Sequence, residues 1–328
     1  MSKSENIRVV KYTSDKKEAW NAFVKASKNG TFLFDRDFME YHADRFVDFS
    51  LMVYENEKIV ALFPANRNEE VVCSHQGLSY GGLILSAKEK YKSCVFIFRA
   101  LLCFLEQQGV KTVEIKEIPS IYALFPSDEI LHLLFLCKAE LYRRDGLSVI
   151  EMKNDLMFGK SRKSGVKKGI KNKLNVKEVG AFDTFWNEIL IPNLRKKHNA
   201  KPVHSLEEIT LLKERFPKNI RQFNVYKDEV IVAGTTIFES QRVAHSQYIS
   251  KNSENNDLGS LDFLHDYMLK NVFQEKDYFD FGISNEAQGT KVNSGLQFWK
   301  ESFGARMVTQ GFYRVKTSNY KLLNEVLL

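Results

Sequence analysis

Two stretches of this chain alternate apolar and polar residues around a short polar break. In one, Val53 and Tyr54 precede Glu57, Ile59, Val60 and Ala61; in the other, Val225 and Tyr226 precede Glu229, Ile231, Val232 and Ala233. β-Branched and aromatic residues on both sides of two polar residues predict hairpins, with tight turns at Glu55-Asn56 and Lys227-Asp228. The two segments lie 172 positions apart. A single match of this length arises by chance, but the surrounding elements repeat in the same order.

After each hairpin the pattern predicts a strand-like run. The first covers 71–85 and contains Ser74-His75-Gln76; the second covers 243–250 and contains His245-Ser246-Gln247. A helix follows each run. The first is expected over 92–108, closed by Gly109 as a left-handed cap. The second is expected over 261–275, with Ser260 as N-cap and Leu261, Leu264, Met268 and Val272 on one face. Strands follow at 112–118 and 278–283, then a further helix and strand. Upstream, 15–26 and 183–197 read as helices, each opening on Asp and containing Trp-Asn (Trp20-Asn21, Trp186-Asn187). Asp15 with Glu18 and Ser205 with Glu208 have capping-box spacing. A repeat near 170 residues predicts two domains, and so does a length of 328 residues. The boundaries expected are 1–152 and 153–328.

Composition is that of an ordinary globular protein, 44% hydrophobic and 27% charged. The polar start gives no signal-peptide pattern, and the apolar run 94–105, interrupted by Arg99, is too short to span a bilayer. A cytoplasmic protein without stable membrane insertion is expected. The four cysteines, Cys73, Cys94, Cys103 and Cys137, have no metal-ligand spacing and are expected as buried thiols, with no metal. Charge changes the picture more. Eight of the basic residues fall between Lys160 and Lys177 with no acid among them; without these the net charge of +7 becomes about −1. The basicity is therefore one local element at the junction of the repeats. It is either a solvated linker face or a groove edge that meets phosphate, in a nucleotide, coenzyme A or RNA. Gly165 and Gly169 weaken it as a helix, although 160–174 has room for one.

The order hairpin, strand, helix, strand resembles the core of the GNAT acyltransferase superfamily, and two such cores in tandem resemble its FemAB-type branch. The residues that carry the likeness are Gly30-Thr31-Phe32-Leu33-Phe34 with Arg36 and Phe38, the segment Arg162–Lys173 with Val176, and Tyr278-Phe279-Asp280-Phe281-Gly282 followed by Asn293, Leu296, Lys300 and Phe303-Gly304-Ala305. The resemblance implies an α/β (α+β) fold of two tandem GNAT-like domains. Each would be a mixed, mostly antiparallel sheet flanked by helices, the second entered through the basic segment 160–177. Two departures stand out. No long coiled-coil arm is present, and of the phosphate-loop positions 255–260 only Gly259-Ser260 fits the GNAT pattern.

Acyl transfer to an amine needs a proton acceptor, a stabiliser for the developing oxyanion, and two substrates held side by side. The resemblance places the carbonyl against backbone amides near Tyr248 and Ile249, and donor phosphate against Leu258, Gly259 and Ser260. His245 is a candidate base because imidazole titrates near neutrality. Asp280, Glu286 and Lys300 are further catalytic candidates, as acceptor ligand, base or charge neutraliser. His75, Gln76 and Tyr80, next to Gly81-Gly82, are candidates for an acceptor pocket; Arg36 and Arg162 are candidate phosphate clamps. The leading expectation is a bacterial acyltransferase of envelope or polysaccharide biosynthesis. It would move an acetyl or aminoacyl group to an amino sugar or peptidoglycan precursor. The donor would be acyl-CoA, slightly favoured for want of a coiled-coil arm, or aminoacyl-tRNA. The competing expectation is a non-catalytic nucleotide-sugar or RNA-binding protein on the same scaffold.

Overall fold

The computed structural model describes residues 6–252 and 257–328. The chain forms two compact units, one of Met1–Asp145 with Thr309–Leu328 and one of Gly146–Val308. Unit 1 opens with β1 (Ile7–Lys11), α1 (Lys17–Ala26), the single turn α2 (Arg36–Met39), β2 (Leu51–Glu55) and β3 (Lys58–Phe63). The short strands β4 (Asn66–Asn68), β5 (Val71–Cys73) and β6 (Ile84–Leu85) follow, then α3 (Tyr91–Gln107), β7 (Thr112–Lys116), α4 (Glu129–Leu136) and β8 (Glu140–Glu151). Unit 2 contains α5 (Lys160–Lys171), β9 (Asn175–Val179), α6 (Ile191–His198), α7 (Leu206–Arg215), β10 (Ile220–Lys227), β11 (Val230–Glu239) and β12 (Val243–Lys251). It continues through α8 (Ser260–Tyr267), β13 (Tyr278–Ile283), the small hairpin β14 (Asn285–Glu286) and β15 (Lys291–Val292), α9 (Ser294–Glu301) and β16 (Arg306–Lys316).

The expected boundary at 152/153 is replaced by one inside β8, and the chain's end belongs to the first unit. Both facts have one cause: β8 and β16 are long, and each runs from one unit into the other. The end of β8 pairs antiparallel with β13 in unit 2, from Ile283↔Leu147 to Tyr278↔Glu151. The end of β16 pairs antiparallel with β7 in unit 1, from Phe312↔Lys116 to Lys316↔Thr112. Val315 and Leu323 then join a core built on α3, whose Val95, Phe98, Leu101 and Leu105 are fully buried. Each such side chain contributes about 1.5–3 kcal/mol on burial. Unit 2 has its own core around Phe223, Val225, Leu264, Phe279 and Phe303.

The repeat extends to the register. Val53 pairs with Ala61 and, across a bulge, Tyr54 with Ile59; Val225 pairs with Ala233 and, across the equivalent bulge, Tyr226 with Ile231. The turns are Asn56-Glu57 and Asp228-Glu229, one residue later than expected, because Glu55 and Lys227 still pair across the ladder. Asn56, Asp228 and Glu229 have φ of 54°, 48° and 62°, the left-handed conformation of tight hairpin turns.

Both units also contain a parallel strand pair that stops early. In unit 1, Val71, Val72 and Cys73 of β5 pair with Thr112, Val113 and Glu114. In unit 2, Val243, Ala244 and His245 of β12 pair with Tyr278, Phe279 and Asp280. Beyond these three pairs the strands diverge. Unit 1 fills the fork with its own chain: Gly81 N donates to Lys116 O (2.7 Å), and Lys116 N donates to Ser74 Oγ (2.9 Å). The expected run 71–85 is therefore β5, a packed loop and β6. In unit 2, β12 instead runs on to Lys251, with a bulge that leaves Gln247 unpaired between Ser246↔Ile237 and Tyr248↔Thr236.

Helix ends follow local chemistry. Gly109 (φ 74°) closes α3 as expected, and Ser205 and Glu208 form a reciprocal capping box on α7. Asp15 and Glu18 do not: a short 3-10 turn, Ser14–Lys16, precedes α1, and Asp15 accepts from Thr13 instead. At α8 the capping position is Gly259 (φ 73°), Ser260 is the first helical residue, and a wider π turn ends the helix at Val272. Three cysteines are buried and Cys103 is half-buried, all free thiols.

Burial holds three histidines neutral: His42 and His265 are pulled down to about 4, and His75 to about 3. The unfolded chain binds these protons near pH 6.5, so their contribution is complete above that pH and is lost as the pH falls toward the folded values. Each costs about 1.4 kcal/mol per pH unit below 6.5. Urea unfolding at pH 7.5 and 5.5 should show a clear loss at 5.5; equal stability would contradict this burial.

Candidate functional site

The fork between β12 and β13 in unit 2 opens into a cavity of about 570 Å³. Ser246, Gln247, Ile249 and Lys251 line it from β12; Phe281 and Ile283 from β13; and Leu296, Trp299 and Lys300 from α9. The first turn of α8, from Gly259 to Asp262, and Arg162 of α5 complete the wall. Four polar atoms of these residues are buried without a partner: Ser246 Oγ, Gln247 Oε1, Ser260 Oγ and Arg162 Nε. Buried polar groups are normally satisfied, so four orphans around one cavity make it the candidate site for a polar ligand.

The basic segment does form a helix, and its glycines are what seat it. A Cβ on Gly165 would lie 1.7 Å from Asp262 Oδ2, and one on Gly169 would lie 2.6 Å from Phe263 Cβ. Gly259 is equally crowded, its Cβ position being 2.2 Å from Gly165 O. The close approach brings Arg162 to Asp262, which also accepts from Trp299 Nε1 (3.0 Å). Burial raises the Asp262 carboxyl despite the Arg162 charge beside it. On the outer side, Lys160, Lys163, Lys167, Lys168, Lys171 and Lys173 are exposed, and none forms an ion pair among the described residues.

Lys300 is 2% exposed. Its ammonium donates to Gly282 O (2.9 Å) and Ile283 O (2.6 Å), and burial pulls it down to about 8 while Asp280 opposes the shift. His245 and Asp280 are brought together at the vertex of the fork, Nδ1 to Oδ2 at 2.9 Å, and Gly282 N donates to the other Asp280 oxygen (2.7 Å). The accepting carboxylate fixes the proton on Nδ1 and leaves the lone pair on Nε2. His245 stands beside the cavity and does not line it. Cys73 and Glu114 occupy the matching positions in unit 1, where the fork is filled.

The other sequence candidates divide clearly. Ile249, Gly259, Ser260 and Arg162 line the cavity. Tyr248 does not: its hydroxyl sits 2.6 Å from His204 Nδ1, and its ring packs on Trp186. Leu258 is half-buried and packs against the core. Glu286 is exposed in the β14–β15 hairpin, bound by Asn293. Asn255 and Asn256 of the phosphate loop lie outside the described residues. In unit 1, Arg36 is buried and bound to Glu40 (3.0 Å) and Asp48 (3.1 Å), with Tyr12 under its guanidinium. It is an internal ion pair, not a clamp. His75 and Gln76 line a small cavity of unit 1, whereas Tyr80 is a core residue bonded to Thr31 (2.9 Å). Sequence reasoning missed Gln247, Lys251, Asp262 and Trp299. Only Gln247 and Trp299 had a signal, as neighbours of His245 and Lys300.

Alanine at an exposed helical glycine stabilises by roughly 1 kcal/mol. At Gly165 the sign should reverse. G165A is expected to cost about 1–3 kcal/mol in urea unfolding because Asp262 must move, while G180A, with nothing within 4 Å, should be near neutral. A stabilised G165A would contradict the packing.

No family model and no curated protein matches the chain. Solved structures do. FemX is 10% identical over 97% of this chain and 100% of its own, with a TM-score of 0.68. L-PGS from Bacillus licheniformis is 12% identical over 95% and 96%, at 0.58. A tandem GNAT protein from the clavulanic acid biosynthesis pathway is 8% identical over 95% and 98%, at 0.54. At such identities the likeness is one of fold: this chain has the FemX-like, tandem GNAT fold over nearly its whole length.

Proposed function

We propose that unit 2 transfers an acetyl or aminoacyl group from a phosphate-bearing donor to an amine. The acceptor proposed is an amino sugar or another precursor of a cell-envelope polysaccharide or peptidoglycan. The observation that carries this is the polar cavity at the fork. A carbonyl seated there meets the edge of β12 where strand pairing has ended, and backbone amides held in place stabilise an oxyanion at no reorganisation cost. Lys300 supplies a fixed positive charge to the developing negative charge. His245, beside the cavity with Asp280 holding its tautomer, is assigned as the acceptor, through a bridging water, of the proton that the attacking amine loses, and a proton returns to the departing thiol or tRNA hydroxyl. Arg162 and the unpartnered hydroxyl of Ser260, at the start of α8, face donor phosphate.

Two donors meet this chemistry. Gly165 and Lys168 pack on Gly259, so α5 fills one approach to the α8 N-terminus, and its exposed lysines suit a long polyanion. That favours aminoacyl-tRNA. The orphaned Ser260 favours the pyrophosphate of acyl-CoA. The reaction is assigned to the cytoplasm, where both donors are made; among the described residues no helix is long and apolar enough to cross a membrane.

The test offers acetyl-CoA or charged tRNA together with UDP-amino sugars and peptidoglycan precursors. Turnover with one donor is expected, and K300M should lower kcat by about 100-fold or more. No turnover with either donor, or a fully active K300M, would overturn the proposal. Sugar binding alone, unchanged by K300M and H245A, would point to a non-catalytic binding protein.

A further inference from the structure

Unit 1 holds a half-buried cation without an ion-pair partner among the described residues. Lys116, at the end of β7, reaches under the loop that fills the unit 1 fork, and its Nζ donates to Leu78 O (2.5 Å). It forms no ion pair among the described residues, so two of its three N–H groups are unspent. The acids nearby are committed elsewhere. Glu114 is held by Arg314 through Nε (3.1 Å) and Nη2 (2.8 Å), and Asp145 by Arg143 (2.6 Å).

Lys116 lines a cavity of about 50 Å³ with Ser74, His75, Gln76, Glu114 and Tyr142. His75 is 5% exposed, its Nδ1 has no partner, and its backbone is held at φ 62°. A non-glycine residue in that conformation is uncommon and clusters at ligand sites. A buried imidazole nitrogen without a partner and a half-buried ammonium with donors to spare thus belong to residues that line one space. That space is small and suits a group the size of a carboxylate.

We propose that this cavity is an anion site that takes a carboxylate group, with Lys116 Nζ as its ion-pair partner and His75 Nδ1–H as its second donor. A charge partly withdrawn from water and left without a counter-ion is costly, and a carboxylate compensates it and satisfies the orphaned imidazole together. Burial, with Arg143 adding to it, pulls the Lys116 ammonium down to about 8, which is the behaviour of a cation short of a counter-ion. The site belongs to unit 1 alone and does not depend on the transfer reaction proposed for unit 2.

The probe is acetate, titrated against the full chain at constant ionic strength with chloride as the replaced ion. Wild-type Tm should rise by about 3 °C at ten times the dissociation constant. K116Q, which removes the charge and leaves a shorter amide donor, should show no acetate-specific rise. K116M, an apolar chain of similar length, serves as the second variant should K116Q fail to fold. Equal effects of acetate and chloride on the wild type, or an acetate-specific rise retained by the variant, would overturn the proposal.

Discussion

The site proposed in unit 2 depends on a parallel strand pair that is allowed to pair for only three residues. Val243, Ala244 and His245 find partners on β13; Ser246 onward does not. A buried strand edge without a partner strand is costly, because each unpaired N–H or C=O forfeits a hydrogen bond. The fold tolerates that cost by opening the fork into a cavity where other groups supply the missing interactions. Unit 1 shows the alternative. It has the same three-residue pairing, but its own chain returns through Ser74 and Gly81 to close the fork. One repeat therefore keeps an open fork and the other has sealed it.

The walls of the open fork are held by a second constraint, the approach of α5 to α8. Glycines at 165, 169 and 259 let the two backbones come together, and the reward is a bridge from Arg162 through Asp262 to Trp299. Trp299 precedes Lys300, so the same packing helps to fix the ammonium at the cavity. α5 thus has two faces: glycines and Arg162 turned inward, lysines turned to solvent. This explains why a helix with poor intrinsic propensity persists; tertiary packing supplies what glycine takes away.

Local patterns carried much of this into the sequence. The hairpins, the long helix α3, the capping box at Ser205 and the strand Tyr278–Ile283 all depend on residues close together in the chain, and so does the 172-residue repeat. What was illegible depends on distance or on a break in period. The exchange of closing strands leaves no linker, because β8 and β16 run on without interruption. Arg162 and Asp262 are 100 residues apart, and nothing local pairs them. The bulge at Gln247 disturbs the two-residue alternation of β12, so the face of Tyr248 was not readable, and its side chain turned out to serve the core. Arg36 looked like a clamp because its partners, Glu40 and Asp48, are ordinary surface residue types and are themselves partly exposed.

The central claim is that donor binds at the open fork of unit 2 and not at the sealed fork of unit 1. Hydrogen exchange with and without a non-transferable donor analogue tests it most directly. The account predicts slower exchange across Ser246–Lys251 and Ser260–Asp262, with 74–83 unchanged. Protection confined to 74–83, or no protection along β12, would contradict it.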